Sequence, residues 1–267
     1  MTDSPAATAE TVVSRDGTPI AVWRGGDGPP LLLVHGTTAE HGRWARVLPA
    51  FEEHFTVLAM DRRGRGGSGD ADGYALEREF EDVAAVVESA GEGVAVLGHS
   101  YGAICALEAA LLTDRIERLV LYEPPLGFVR ASTAVVERLV ALLEADERDE
   151  LVAFFMREVA GLGDAQLESM RSMPSWQGRL AAAHTIPREE LGGREYAFDP
   201  DRFRSLDVPT LFLQGSDSPE GFRQAAEAVD AALPGCRVLV MPGQRHNAMD
   251  TDTAMFTREV LAFLRAA

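Results

Sequence analysis

One serine in this chain stands where a serine can act as a nucleophile. The run Val94-Ala95-Val96-Leu97-Gly98-His99-Ser100-Tyr101-Gly102-Ala103 passes from an apolar stretch of strand length, through Gly-x-Ser-x-Gly, into a small-residue helical stretch. A serine on a sharp strand-to-helix turn has its oxygen lifted clear of the sheet edge. The flanking glycines leave room for the turn, where side chains would strike the neighbouring strand and helix. Backbone N–H groups at the start of the helix can then stabilise negative charge. Ser100 is the candidate nucleophile. The bare five-residue pattern is weak by itself; the strand before it and the helix after it give it meaning.

Serine still needs a base to take its proton. Among six histidines, His246 lies in Met241-Pro242-Gly243-Gln244-Arg245-His246-Asn247, a loop between the last expected strand and the last expected helix. Such a loop can bring an imidazole to the sheet edge that carries Ser100. His35 ends a strand before Gly36 and is expected to order its loop by hydrogen bonding. His99 sits inside the turn with its side chain expected to point away from the serine oxygen. His41, His54 and His184 read as ordinary surface or helix residues. A carboxylate must also hold the imidazole and stabilise its cation. Glu123 follows an apolar strand and precedes Pro124-Pro125. Burying an unpaired charge there is costly, so a specific partner is expected.

These residues need a scaffold that brings them to one edge. Residues 11–15 and 19–24 flank Asp16-Gly17 as a hairpin. Residues 31–34, 56–60, 94–97, 116–122, 208–213 and 237–241 read as buried strands, and 43–54, 76–90, 103–112, 222–232 and 253–264 as helices. The alternation implies an α/β fold, with a mostly parallel eight-stranded sheet covered by helices on both faces. From 126 to 204 the pattern is helical only, with candidates at 133–145, 150–159, 164–173 and 175–184. This block reads as a lid inserted before the penultimate strand, over the strand edge where open α/β sheets place their sites. The core is then 1–125 and 205–267, and the lid 126–204 is not an independent domain.

Composition bounds the rest. A chain of 267 residues with 46% hydrophobic and 25% charged content buries a sizeable core. The net charge of −17 opposes nucleic acid and anionic membranes. No apolar run approaches membrane-helix length, and the start MTDSPAATAETVV reads as a frayed tail rather than a signal peptide. Two cysteines, Cys105 and Cys236, make no disulfide framework or metal cluster and are expected to be buried thiols, which fits a reducing cytoplasm. No metal-ligand spacing and no phosphate-binding loop is present, so neither cofactor nor metal is expected. The expected partner is a small-molecule substrate, with the chain a monomer or homodimer. Among the aromatics of the lid, Phe155 and Trp176 are candidates for an apolar substrate pocket.

The chain resembles the α/β-hydrolase family. The matching pieces are Val34-His35-Gly36-Thr37-Thr38, Asp61-Arg62-Arg63-Gly64-Arg65-Gly66-Gly67-Ser68, Gly98-His99-Ser100-Tyr101-Gly102 and Gly243-Gln244-Arg245-His246, each after a strand, spanning about residues 31–250. The resemblance implies Ser100 as nucleophile and His246 as general base and then acid. It implies an oxyanion hole made by the backbone amides of Tyr101 and Thr37. It implies a structural role for the Asp61–Ser68 turn, within which Arg62 or Arg65 can meet an acidic group. The family commonly places its acid after the penultimate strand, in a pattern close to Gly-x-x-Asp-Pro. This chain has Gly215-Ser216-Asp217-Ser218-Pro219, with serine at the usual position and Asp217 one residue early. Some members, haloalkane dehalogenases among them, place a glutamate where Glu123 stands. Glu123 is therefore favoured over Asp217, which could instead cap the following helix.

The activity so implied is cofactor-free hydrolysis of a small to medium apolar ester, thioester or lactone through an acyl-enzyme. Carbon–carbon bond hydrolysis of ring-fission diketones and perhydrolysis use the same residues. A ligand-binding protein that keeps the fold without turnover is the alternative from another class.

Overall fold

Apolar residues alternate along each strand, and the alternation decides which sheet face each side chain covers. Leu32 and Val34, Val94 and Val96, Leu119 and Leu121 pack into one cluster; Leu31 and Leu33, Ala95 and Leu97, Val120 and Tyr122 pack into the other. Both faces are therefore buried, as a parallel sheet requires. The computed structural model describes residues 8–266.

The strands are β1 (Thr8–Val13), β2 (Pro19–Gly25), β3 (Pro30–Val34), β4 (Thr56–Met60), β5 (Val94–His99), β6 (Ile116–Tyr122), β7 (Thr210–Gly215) and β8 (Cys236–Met241). They form one eight-stranded sheet in the order β1-β2-β4-β3-β5-β6-β7-β8. β1, β2 and β4 pair antiparallel, and every pairing from β4 through β3 to β8 is parallel. The chain leaves β3 for β4 on one side and then returns to lay β5 on the other. That reversal makes a topological switch point at the carboxyl ends of β3 and β5, the place where doubly wound sheets bind ligands.

Helices α1 (Leu48–Glu52), α2 (Leu76–Ala90), α3 (Tyr101–Ala109), α9 (Glu220–Ala232), α10 (Ala248–Thr251) and α11 (Thr253–Leu264) flank the sheet. Between β6 and β7 lie α4 (Thr133–Glu144), α5 (Arg148–Glu158), α6 (Asp164–Arg171), α7 (Ser175–Ala181) and α8 (Thr185–Glu195). These five share an apolar interior of their own, built around Leu139, Leu151, Val152, Phe155, Trp176 and Ile186. No helix among the described residues is long and apolar enough to cross a membrane.

Several expectations need correction. Residues 43–54 do not form one helix: a 3-10 turn at His41–Trp44 and the short α1 share the segment. The expected tail is not all tail, since Thr8–Val13 is the edge strand β1; residues 1–7 lie outside the described residues. Cys105 is buried, but Cys236, on the edge strand β8, is only half-buried. Helix α8 was not expected. Pro187 in its first turn and Gly192-Gly193 near its end interrupt the helical pattern, although proline is tolerated that early in a helix.

Candidate active site

The turn after β5 holds Ser100 at φ 56° and ψ −124°, a conformation few L-residues adopt. Its amide donates to the Tyr122 carbonyl at 2.8 Å, which ties the turn to β6. Sterics explain the glycine two places on. A Cβ on Gly102 would stand 2.3 Å from the His35 carbonyl oxygen and 2.4 Å from that of Val34. Only glycine lets α3 start this close to β3. All nine residues of α3 are buried, and Tyr101 opens the helix, so its amide has no partner within the helix.

His246 arrives on the loop after β8, and the loop is held from several sides. Gly215 ends β7, where a Cβ would meet the Gln244 carbonyl oxygen at 2.4 Å; its absence lets the 244–246 backbone pass. The Tyr122 hydroxyl donates to the Arg245 carbonyl and accepts from the Ala248 amide at 2.8 Å. His99 Nε2 donates to the His246 carbonyl at 2.9 Å. The imidazole of His246 lies between the stacked ring of Phe222, at 4.8 Å, and the tilted ring of His99, at 4.6 Å.

Of the two acids considered, it is Glu123 whose carboxylate meets His246. Glu123 Oε2 accepts from His246 Nδ1 at 2.7 Å, and Oε1 accepts from the Gly215 amide at 2.7 Å. The Glu123 side chain is fully buried, while the His246 side chain is 29% exposed. With its hydrogen on Nδ1, the ring keeps Nε2 free to take a proton. Asp217 is exposed, and its carboxylate accepts from the neighbouring Ser216 hydroxyl at 2.8 Å instead. Nor does it cap α9, whose N-cap is Pro219 with no side-chain bond.

The other expected residues divide. Thr37 follows the His35-Gly36 pair at the end of β3, and Gly36 lies directly against Ser100, since a Cβ there would stand 2.9 Å from the serine Cβ. Phe155 and Trp176 are buried in the interior of the α4–α8 block, with Trp176 Nε1 donating to Asp149 at 2.8 Å. The expectation that made them candidates for an apolar substrate pocket is corrected: they pack the interior of the block itself. His41 is no ordinary surface residue: its amide and Nδ1 both bond the buried Asp61, at 2.7 and 2.8 Å, and its ring stacks on Trp23.

Electrostatics keep His35 and His99 neutral. Burial pushes His99 well below its ordinary value, with His246 and Arg43 adding repulsion. Burial and then the Arg62 and Arg65 guanidiniums push His35 down to about 3. Neutral His35 donates from Nδ1 to the Gly36 carbonyl at 2.8 Å and accepts at Nε2 from the Arg62 amide at 3.1 Å. A small cavity of about 40 Å³ borders Tyr101, Ile104, Pro125, Glu190 and Arg194 at the seam between α3 and α8. A far larger groove, about 870 Å³, lies on the flank of the molecule against α2 and α8 and does not include Ser100. Among the described residues no group of three or more His, Cys, Asp or Glu side chains could hold a metal ion.

A serine raised on a turn, with an acid-held imidazole on the same strand edge, is the arrangement that serine hydrolases of open α/β sheets employ. The chain belongs to the alpha/beta hydrolase family, whose model matches residues 31–258. It is similar to a 2-hydroxy-6-oxo-6-(2'-aminophenyl)hexa-2,4-dienoic acid hydrolase of Metapseudomonas resinovorans, 26% identical over 98% of this chain and 92% of that one. It is similar also to a bifunctional esterase/perhydrolase of Acinetobacter calcoaceticus, 27% identical over 96% of this chain and 99% of that one. Among solved structures, an alpha/beta hydrolase from Sphaerobacter thermophilus superposes with a TM-score of 0.81, at 37% identity over 93% of this chain and 99% of that one.

Proposed function

We propose that the protein is a serine hydrolase that cleaves a small to medium, mainly apolar ester, thioester or lactone, and that the α4–α8 block is its lid. The observation that carries this reading is the bond from His246 to the buried Glu123 carboxylate beside the strained Ser100 turn. Ser100 Oγ attacks the substrate carbonyl carbon while His246 Nε2 takes the hydroxyl proton. The negative charge collects on the carbonyl oxygen, where the Tyr101 and Thr37 amides receive it. Collapse breaks the bond to the leaving group, which departs with the proton from His246. Water then gives a proton to His246 and attacks the acyl-enzyme, and collapse releases the acid as Ser100 Oγ leaves and takes that proton back from His246. The Glu123 carboxylate holds the imidazole in the tautomer that the first step needs.

A second reading, carbon–carbon bond hydrolysis or perhydrolysis, uses the same residues. It is favoured by the full-length similarity to the dienoic acid hydrolase and to the esterase/perhydrolase. A fluorophosphonate probe tests the common core: it should label wild-type protein at Ser100 and fail on Ser100→Ala. A non-catalytic binding protein would leave the folded wild type unlabelled. A panel of acyl esters of graded length, lactones and vinylogous diketones, with peroxide added to a carboxylic acid in a parallel assay, separates the two catalytic readings by relative kcat/KM.

A further inference from the structure

Arg62 follows Asp61 at the end of β4, and its guanidinium is buried against the ring of Tyr101, the residue after Ser100. It touches both sides of the proposed oxyanion hole. On one side its amide donates to His35 Nε2 at 3.1 Å and its Nη1 reaches the His35 carbonyl at 3.4 Å. His35 in turn bonds the Gly36 carbonyl, and the next residue is Thr37. On the other side the guanidinium lies over the Tyr101 ring, 4.7 Å from its centroid. The Tyr101 hydroxyl bonds that of Tyr74 at 2.9 Å, and Tyr74 donates to Glu79 at 2.9 Å, which also accepts from Arg62 Nε at 2.7 Å. One planar cation thus braces the backbone leading to Thr37 and the side chain of Tyr101.

A buried guanidinium keeps its place only while its charge is met. Glu79 supplies one carboxylate from α2. The other comes from outside the core: Glu189, on α8, points inward, fully buried, and accepts from Arg62 Nη2 and from Arg65 Nη2. Burial alone would raise the Glu189 carboxyl, but Arg62, Arg65 and the Thr37 hydroxyl hold it down at about 2. Its second oxygen, Oε2, has no partner among the described residues, so its hold on the core is made through the first. The α4–α8 block takes a second grip on the same loop, where Arg179 of α7 donates to the Thr38 carbonyl and hydroxyl at 2.7 and 2.6 Å.

We propose that Glu189 is a positioning residue for the oxyanion hole, fixing the Thr37 and Tyr101 amides through Arg62 so that the α4–α8 block sets transition-state stabilisation as well as covering the site. The inference rests on the serine hydrolase reading. Two variants test it on the full-length protein. Glu189→Gln keeps the shape and removes the charge that holds Arg62. Arg62→Lys keeps a cation for both carboxylates and removes the plane that spans His35 and Tyr101. Each is assayed on a short p-nitrophenyl ester, with rates referred to sites counted by fluorophosphonate. Removal of an oxyanion donor outright costs about 10²- to 10³-fold, so displacement is expected to lower kcat about 10- to 100-fold, with KM almost unchanged.

An alkylboronic acid, which forms a tetrahedral adduct on the serine oxygen, should bind more weakly by a similar factor. Architecture alone would reduce the count of reactive sites and leave kcat per site intact. The proposal is overturned by unchanged kcat per site, by a loss confined to KM, or by failure of both variants to yield folded, probe-reactive protein. A wild type that neither labels nor turns over would strike the hydrolase reading itself, before either variant is made.

Discussion

Glu123 and His246 lie 123 positions apart in the chain and 2.7 Å apart in the structure. Glu123 sits at φ 47°, so the residue that delivers the carboxylate is itself in a left-handed conformation, with Pro124 immediately after it. Its second oxygen takes the Gly215 amide, which leaves the carboxyl no freedom to turn away from the ring. Glu123→Gln should lower kcat by about 10⁴-fold, the usual cost of replacing an orienting carboxylate by an amide. Asp217→Asn should stay near the wild-type rate, because its carboxylate is exposed and bonds the neighbouring Ser216 hydroxyl rather than His246. Steady-state kinetics on one ester, run on both variants side by side, checks the pair.

The Ser100 conformation predicts an ordering of stabilities. Residues held in such backbone regions cost about 1–3 kcal/mol each, a cost glycine does not carry. Ser100→Ala should remove turnover and leave stability near wild type, because its backbone keeps the strain. Ser100→Gly should be more stable than Ser100→Ala by about 1 kcal/mol, once the greater entropy of glycine in the unfolded chain is set against the relief. Urea midpoints of the two variants at constant slope make the comparison, and equal midpoints would show an unstrained turn.

Gly102 gives a steric prediction. An added methyl meets two carbonyl oxygens of the central strand β3 and its exit, at 2.3 and 2.4 Å, and backbone at the centre of a sheet cannot yield. Gly102→Ala should cost about 3 kcal/mol and should lower activity per folded molecule, since relief comes only by pushing α3 and its Tyr101 amide away from Thr37. Gly42→Ala is the control. Its nearest neighbour is a flexible Glu40 oxygen at 3.9 Å, so the change should stay within about 0.5 kcal/mol.

How far these features were legible depends on whether their cause is local. Strands β3, β5 and β6 announce themselves because burial on both faces demands unbroken apolar runs, and α2 because one stripe of Phe80, Val83 and Val87 repeats at helical spacing. Glu123 was legible because an acid between an apolar strand and two prolines has nowhere to go without a partner. Helix α8 was not, since Pro187 and Gly192-Gly193 break its pattern and one of its inward residues, Glu189, is held by charge. Glu189 looks like a solvated residue until Arg62 and Arg65, more than a hundred positions earlier, are seen beneath it. The same holds for His41, whose partner Asp61 is recruited from the end of another strand, and for His99, whose ring packs on His246. Phe155 and Trp176 mark the converse limit: apolar spacing tells that a side chain is buried, and tertiary packing alone tells on which side.

Glu190, beside Glu189 on α8, carries a prediction about pH. Burial, and then repulsion from Glu189, raise its carboxyl to about 7 against an ordinary 4.5, while Arg194 pulls the other way. The sign follows from proton counts. Below pH 4.5 the folded and unfolded chains both hold the proton, and the group costs nothing. Between 4.5 and 7 the unfolded chain releases it and the folded one keeps it, so stability falls as pH rises. Above 7 the penalty is complete, on the order of 2 kcal/mol after allowance for the water that reaches the side chain at the cavity. Glu190→Gln should therefore match the wild type at pH 4.5 and exceed it in Tm by several degrees at pH 8. The neutral, buried His35 and His99 give the opposite slope, losing stability as the pH drops below the ordinary histidine range. They are common to both proteins, so the difference in Tm between variant and wild type isolates Glu190. Thermal melts at half-unit steps from pH 4.5 to 8 should show that difference opening through the interval from 4.5 to 7. A constant difference, or one that opens on the acid side, would mean that Glu190 is ionised in the folded protein throughout.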